Sequence, residues 1–72
     1  MNEREIIELL RKARRDSHIR VVDMATVLGY HEHTLAAWEH RRSKIPLKAA
    51  CDIAGILGLE LVLRPREPRE LP

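Results

Sequence analysis

VVDMATVLGYHEHTLAAWEH, residues 21–40, reads as two short helices hinged at a glycine. In the first half Met24, Ala25 and Leu28 recur at helical spacing. Gly29 follows the last apolar residue, where a left-handed backbone closes a helix without a Cβ clash. In the second half Leu35 and Trp38 share one face, and Tyr30 stands just ahead of it to pack across the turn. Ala25 is small where two crossing helices approach most closely. Helix, tight turn, helix is the expected path of the chain here.

Two blocks in this segment, MATVLGY (24–30) and LAAWE (35–39), resemble the helix-turn-helix of the Cro/cI repressor family, also called the XRE family. The resemblance extends from about Leu9 to Leu59, and the spacing between the blocks has no insertion or deletion. It implies an all-α, four-helix lambda-repressor-like domain that places the start of the second helix of the motif in the DNA major groove. On that mapping His31, Glu32, His33, Thr34 and Ala37 are the candidate base-contacting residues. Glu32 would accept from cytosine N4, His33 would bond to guanine, Ala37 would touch a thymine methyl, and Thr34 offers a hydroxyl. The chain departs from the family at two places. Arg20 and Val21 stand where a Ser/Thr cap and a glutamine are usual, so Arg20 is expected to take over a phosphate contact. Near Arg41 most relatives have a glycine.

The 72 residues allow one domain, near the lower limit for a single unaided core. Hydrophobic residues make up 44%, yet Phe is absent and Trp38 and Tyr30 are the only aromatics, so the core must be Leu, Ile, Val and Ala. One cysteine excludes an internal disulfide. No apolar run is long enough for a signal peptide or a membrane span, so the expected compartment is the cytoplasm.

A net charge of +2 says less than its distribution. Arg11, Lys12, Arg14, Arg15 and Arg20 form one basic block, and Arg41, Arg42, Lys44 and Lys48 another; they bracket the motif, while Glu3, Glu5 and Glu8 gather at the N-terminus. Cations flanking a recognition helix point to phosphate contact, with Arg20, Arg41, Arg42 and Lys44 as the candidates.

Outward from the motif, residues 3–15 are expected to form a first helix. Asn2 is its N-cap, with Glu5 completing a capping box, and Ile6, Leu9, Leu10 and Ala13 form its buried stripe. The polar link Asp16, Ser17, His18 ends it, and Ile19 tucks beneath the next helix. Pro46 suits the first position of a fourth helix running to Leu57 and stopping at Gly58; Leu47, Ala50, Ile53, Ala54 and Leu57 are its expected buried face. IAGILGL (53–59) echoes MATVLGY as a second helix closed in the same way.

Residues 59–64, LELVLR, alternate: Leu59, Leu61 and Leu63 on one side, Glu60, Val62 and Arg64 on the other. That is the period of a half-buried strand. A lone strand in a helical chain has no partner of its own, so Leu59, Glu60, Leu61, Val62, Leu63 and Arg64 are expected to pair antiparallel with a second copy. Some relatives, antitoxins of the HipB type among them, carry a strand here. Residues 65–72, with three prolines among charges, are expected to be a mobile tail.

Enzymatic chemistry finds little footing. His31 and His33, two positions apart in a helix, would point about 160° away from each other. His33 and His40 lie two turns apart, and neither an i,i+4 histidine pair nor a cysteine pair exists for zinc. Cys51 lacks a His/Asp frame and is expected to pack within the fourth helix. No glycine-rich phosphate loop is present. No cofactor and no metal are expected, and two function classes remain. One is a sequence-specific DNA-binding regulator, a repressor acting as a homodimer on a palindromic operator. The other is an antitoxin-type module that holds a toxin protein, with DNA binding secondary.

Overall fold

A computed structural model describes residues 2–64, which form four α-helices: α1 (Glu3–Asp16), α2 (Val21–Leu28), α3 (Glu32–Glu39) and α4 (Leu47–Ile56). The expected tail over 65–72 lies outside the described residues.

Helix α1 begins as its sequence dictates. The Asn2 side chain accepts from the Glu5 N–H at 2.9 Å, Glu3 and Glu5 occupy the positive end of the helix dipole, and Arg14 and Arg15 the negative end. Its buried face differs from the expected stripe. Ile7, Leu10 and Arg14 are buried, Ile6 packs at the core's edge, and Leu9 is about half exposed. The face is rotated toward Arg14 because that guanidinium reaches across to α3.

All four helices end on one closure, in which an N–H reaches back five residues over a left-handed residue. Ile19 donates to the Arg14 carbonyl, Tyr30 to Ala25, Arg42 to Ala37 and Leu59 to Ala54, at 2.8–3.2 Å. The left-handed residues are His18 (φ +58°), Gly29 (+80°), Arg41 (+58°) and Gly58 (+73°). Glycine takes this conformation freely, whereas a side chain costs about 1–2 kcal/mol. Thus α3 ends without glycine because Arg41 itself adopts the strained angle. The same closure explains the echo between residues 24–30 and 53–59.

The core is one cluster to which all four helices contribute: Leu10, Met24, Ala25, Leu35, Trp38, Ala49, Ala50, Ile53 and Ala54. Ile19, Val21, Leu28, Tyr30, Ile45 and Leu57 close its rim. Five of its nine members are alanine or methionine, so the helices pack close and Trp38 supplies the bulk. Tyr30 meets Trp38 edge-on, ring centroids 5.0 Å apart at 79°, and this contact locks the turn between α2 and α3. Three expectations for α4 need correction. Pro46 is its N-cap, with extended ψ of 148°, and not its first residue. Leu47 is exposed and Ala49 takes a buried place instead; Cys51 is exposed too, on the outer face.

Among the described residues there is no strand. Residues 59–64 follow α4 without regular structure, and Leu59, Leu61, Val62 and Leu63 are exposed, Leu63 completely. The expected alternation is in the sequence, but a strand exists only when its N–H and C=O groups meet another strand, and the rest of this fold is helical.

Candidate nucleic-acid interface

The outer face of α3 is built by what its inner face buries. Leu35 and Trp38 point into the core, and Glu39 is tied to Arg14 beneath the helix. Arg14 Nε and Nη2 donate to the two Glu39 oxygens at 2.6 and 2.8 Å, and its Nη1 donates to the Ile19 carbonyl at 2.6 Å. Arg11 Nε lies 3.8 Å from Glu39 as a second cation. One guanidinium therefore joins α1, the link into α2, and the end of α3, and fixes which side of α3 faces out. Glu39 thus serves to tie α3 to α1. Arg14 was not visible as its partner, since nothing local in the sequence marks a buried arginine.

His31, Glu32, His33 and Thr34 are all exposed at the start of α3; Ala37 is half-buried, its carbonyl taken by the Arg42 N–H. His31 lies outside the helix as its N-cap, and its Nδ1 accepts from the His33 N–H at 3.1 Å. The expectation that His31 and His33 diverge is therefore corrected. An N-cap residue has extended, not helical, backbone, and here the two imidazoles stack with centroids 4.9 Å apart and planes 24° from parallel.

Past the C-terminus of α3, Arg41, Arg42 and Lys44 are exposed, and none of the three forms an ion pair among the described residues. The left-handed Arg41 turns the chain sharply, so these cations stand at the opposite end of α3 from the histidines. Arg20 differs from them. It caps α2 by backbone alone and its guanidinium holds Asp23 through two bonds, at 2.8 and 3.1 Å. Those hydrogen bonds lower the Asp23 carboxyl below its usual range and raise Arg20. Both groups are exposed, but the pair cancels the charge Arg20 would bring to a phosphate. Lys48 is likewise paired, with Asp52 at 2.8 Å.

No group of three or more His, Cys, Asp or Glu side chains among the described residues could hold a metal ion. A shallow groove along α1 is lined by Glu8, Arg11, Lys12, Arg15 and Asp16, three cations between two carboxylates, without a nucleophile. No helix among the described residues is long and apolar enough to cross a membrane. The surface thus offers an exposed polar edge on a short helix, cations at its far end, and an apolar segment at 59–64. Family models, curated proteins and solved structures were each compared with the chain, and none matches it.

Proposed function

We propose that this chain is a sequence-specific DNA-binding regulator of transcription, a cytoplasmic repressor whose α2 and α3 act as a helix-turn-helix in a lambda-repressor-like domain. The observation that carries the reading is the division of α3. Its inner face is anchored by Leu35, Trp38 and Glu39, while His31, Glu32, His33 and Thr34 stand exposed and make no bond to the domain's core. A helix held that firmly, with hydrogen-bonding groups turned outward and Arg41, Arg42 and Lys44 beyond its end, unpaired among the described residues, suits a major groove with phosphates alongside. Arg20 joins the phosphate contacts only by exchanging Asp23 for a phosphate.

The roles separate experimentally. Arg41→Ala with Arg42→Ala is expected to weaken binding to every duplex and flatten the salt dependence by about one unit for each phosphate left unneutralised. Glu32→Ala or His33→Ala is expected instead to narrow the gap between a selected duplex and random DNA, by roughly 1–3 kcal/mol for a good base pairing. Equal weakening on both kinds of DNA from all four substitutions would refute this division.

The working form on a palindromic operator is a homodimer joined through residues 59–64. None of residues 60–64 makes a backbone hydrogen bond to another described residue, and four large apolar side chains between 59 and 63 are exposed. Antiparallel pairing about a twofold axis at Val62 sets Glu60 against Arg64 and Leu61 against Leu63 of the second copy. Like residues then never oppose as like charges, and the leucines leave water. Two recognition helices about 34 Å apart would follow. Val62→Pro removes a strand donor and is expected to give folded monomers with much weaker operator binding. Sedimentation of the unmodified chain as a monomer at high micromolar concentration argues against this interface.

The exposed apolar segment 59–64 also favours a second reading, an antitoxin-type module that offers this segment to a toxin protein. In that case the chain remains monomeric until the partner is added, and Arg41→Ala with Arg42→Ala leaves its function intact.

A further inference from the structure

Helix α4 buries Ala49, Ala50, Ile53 and Ala54 on its inner side. Its outer side carries a ridge of residues one turn apart, Leu47, Cys51 and Gly55, all exposed and none charged. Leu47 alone is 75% exposed. Gly55 is the residue the domain does not account for. It lies within the helix, without the left-handed angle that Gly29 and Gly58 adopt, and a Cβ placed on it would meet nothing within 4 Å. Glycine is less favourable than alanine in a helix, because it gives up more backbone freedom on folding. Neither backbone angle nor packing within the chain calls for the missing side chain, whereas a close approach from outside does.

The ridge leads into the apolar segment proposed above to join two copies. The Leu59 N–H donates to the Ala54 carbonyl at 2.8 Å, which holds Leu59 at the end of α4, and the exposed Leu61, Val62 and Leu63 follow. Residues 59–64 alone make a small contact, since each partner in a standard interface contributes roughly 20–30 residues. The face of α4 beside them enlarges it. Along the ridge the sizes are self-complementary. A twofold axis at Cys51 brings residue 47 of one copy to residue 55 of the other, so each Leu47 fills the space over the opposite Gly55. No charge is stranded by this contact, because the two ionised side chains of α4, Lys48 and Asp52, are already bonded to each other at 2.8 Å.

We propose that the α4 ridge of Leu47, Cys51 and Gly55 is a docking surface for a second copy of this chain. The same ridge of the second copy crosses it about a twofold axis beside Cys51, with Leu47 of each copy seated over Gly55 of the other. The proposal rests on the homodimer reading above and adds to it a helix-on-helix contact with its own residues.

Sedimentation equilibrium, thermal melting and cross-linking test this. Leu47→Asp changes a side chain exposed in the single copy, so the monomer is expected to melt as before. The dimer dissociation constant is expected to rise about a hundredfold, because two leucines return to water. Gly55→Gln fills the seat with a good helix former, so the monomer is expected to melt higher while the dimer dissociates at least about tenfold more readily. A glycine required by its own domain would instead give a monomer that melts lower. A short bis-maleimide is expected to join the Cys51 thiols of two unmodified chains and to fail on Leu47→Asp. Unchanged dimer affinity in either variant overturns the α4 contact and leaves residues 59–64 as the interface. A dimeric chain that does not cross-link overturns the axis at Cys51. If the unmodified chain is a monomer at high micromolar concentration, the homodimer reading itself fails.

Discussion

Removing Glu39 strands a charge. Arg14 is only about a tenth exposed and keeps one acceptor, the Ile19 carbonyl, once the carboxylate is gone. Breaking a buried pair from one side costs about 3–5 kcal/mol. For 72 residues the whole stability is about 4–11 kcal/mol, so Glu39→Ala is expected to leave the domain close to unfolding. Arg14→Met is expected to be milder, because Arg11, already 3.8 Å from Glu39, can close on the carboxylate. What remains is the unsatisfied Ile19 carbonyl, about 1–3 kcal/mol. The double variant Arg14→Met with Glu39→Leu strands no charge and is expected to be more stable than Glu39→Ala alone. Urea titration followed by Trp38 fluorescence measures all three. A destabilisation under about 1 kcal/mol for Glu39→Ala, as for a surface ion pair, would refute the reasoning. So would a double variant at the sum of the single effects.

Trp38→Ala removes the largest core side chain and its edge-on packing with Tyr30, at a cost of about 3–5 kcal/mol. A variant that melted normally and failed only in DNA binding would put Trp38 on the DNA instead. His18→Gly relieves a left-handed histidine and is expected to stabilise by about 0.5–1 kcal/mol, read as a higher melting temperature; a lower one would mean that the exposed His18 makes an interaction worth more than the strain. Asp23→Ala frees the Arg20 guanidinium and deletes a negative charge, so generic duplex DNA is expected to bind more tightly and with a steeper salt dependence. Unchanged affinity would place Arg20 away from the phosphates.

The turns were the most legible part of the sequence, because their signals are local. Gly29 and Gly58 end helices as expected, Asn2 caps α1, and Tyr30 packs on Trp38 across the turn. What escaped depends on partners distant in sequence. Arg14 is buried because Glu39 waits 25 residues on, and an arginine in an apolar stripe reads as its polar border. Leu47 is exposed at the start of α4 although Ala50, Ile53 and Ala54, which share its expected face, are buried. The histidine stack depends on His31 being the residue before the helix, which the sequence spacing alone does not mark. Residues 59–64 carry a strand's alternation without a strand, since pairing is a property of two segments and a sequence displays only one.

We propose above all that the exposed edge of α3 distinguishes one DNA sequence from another. The most direct measurement titrates the chain against a duplex enriched from a random pool and against a scrambled duplex of equal composition, across a series of salt concentrations. Enriched-duplex binding is expected to be at least about a thousandfold tighter, with affinity for both falling linearly in log–log form as salt rises. Equal affinity for the two duplexes, or no binding to either at low salt, would contradict it.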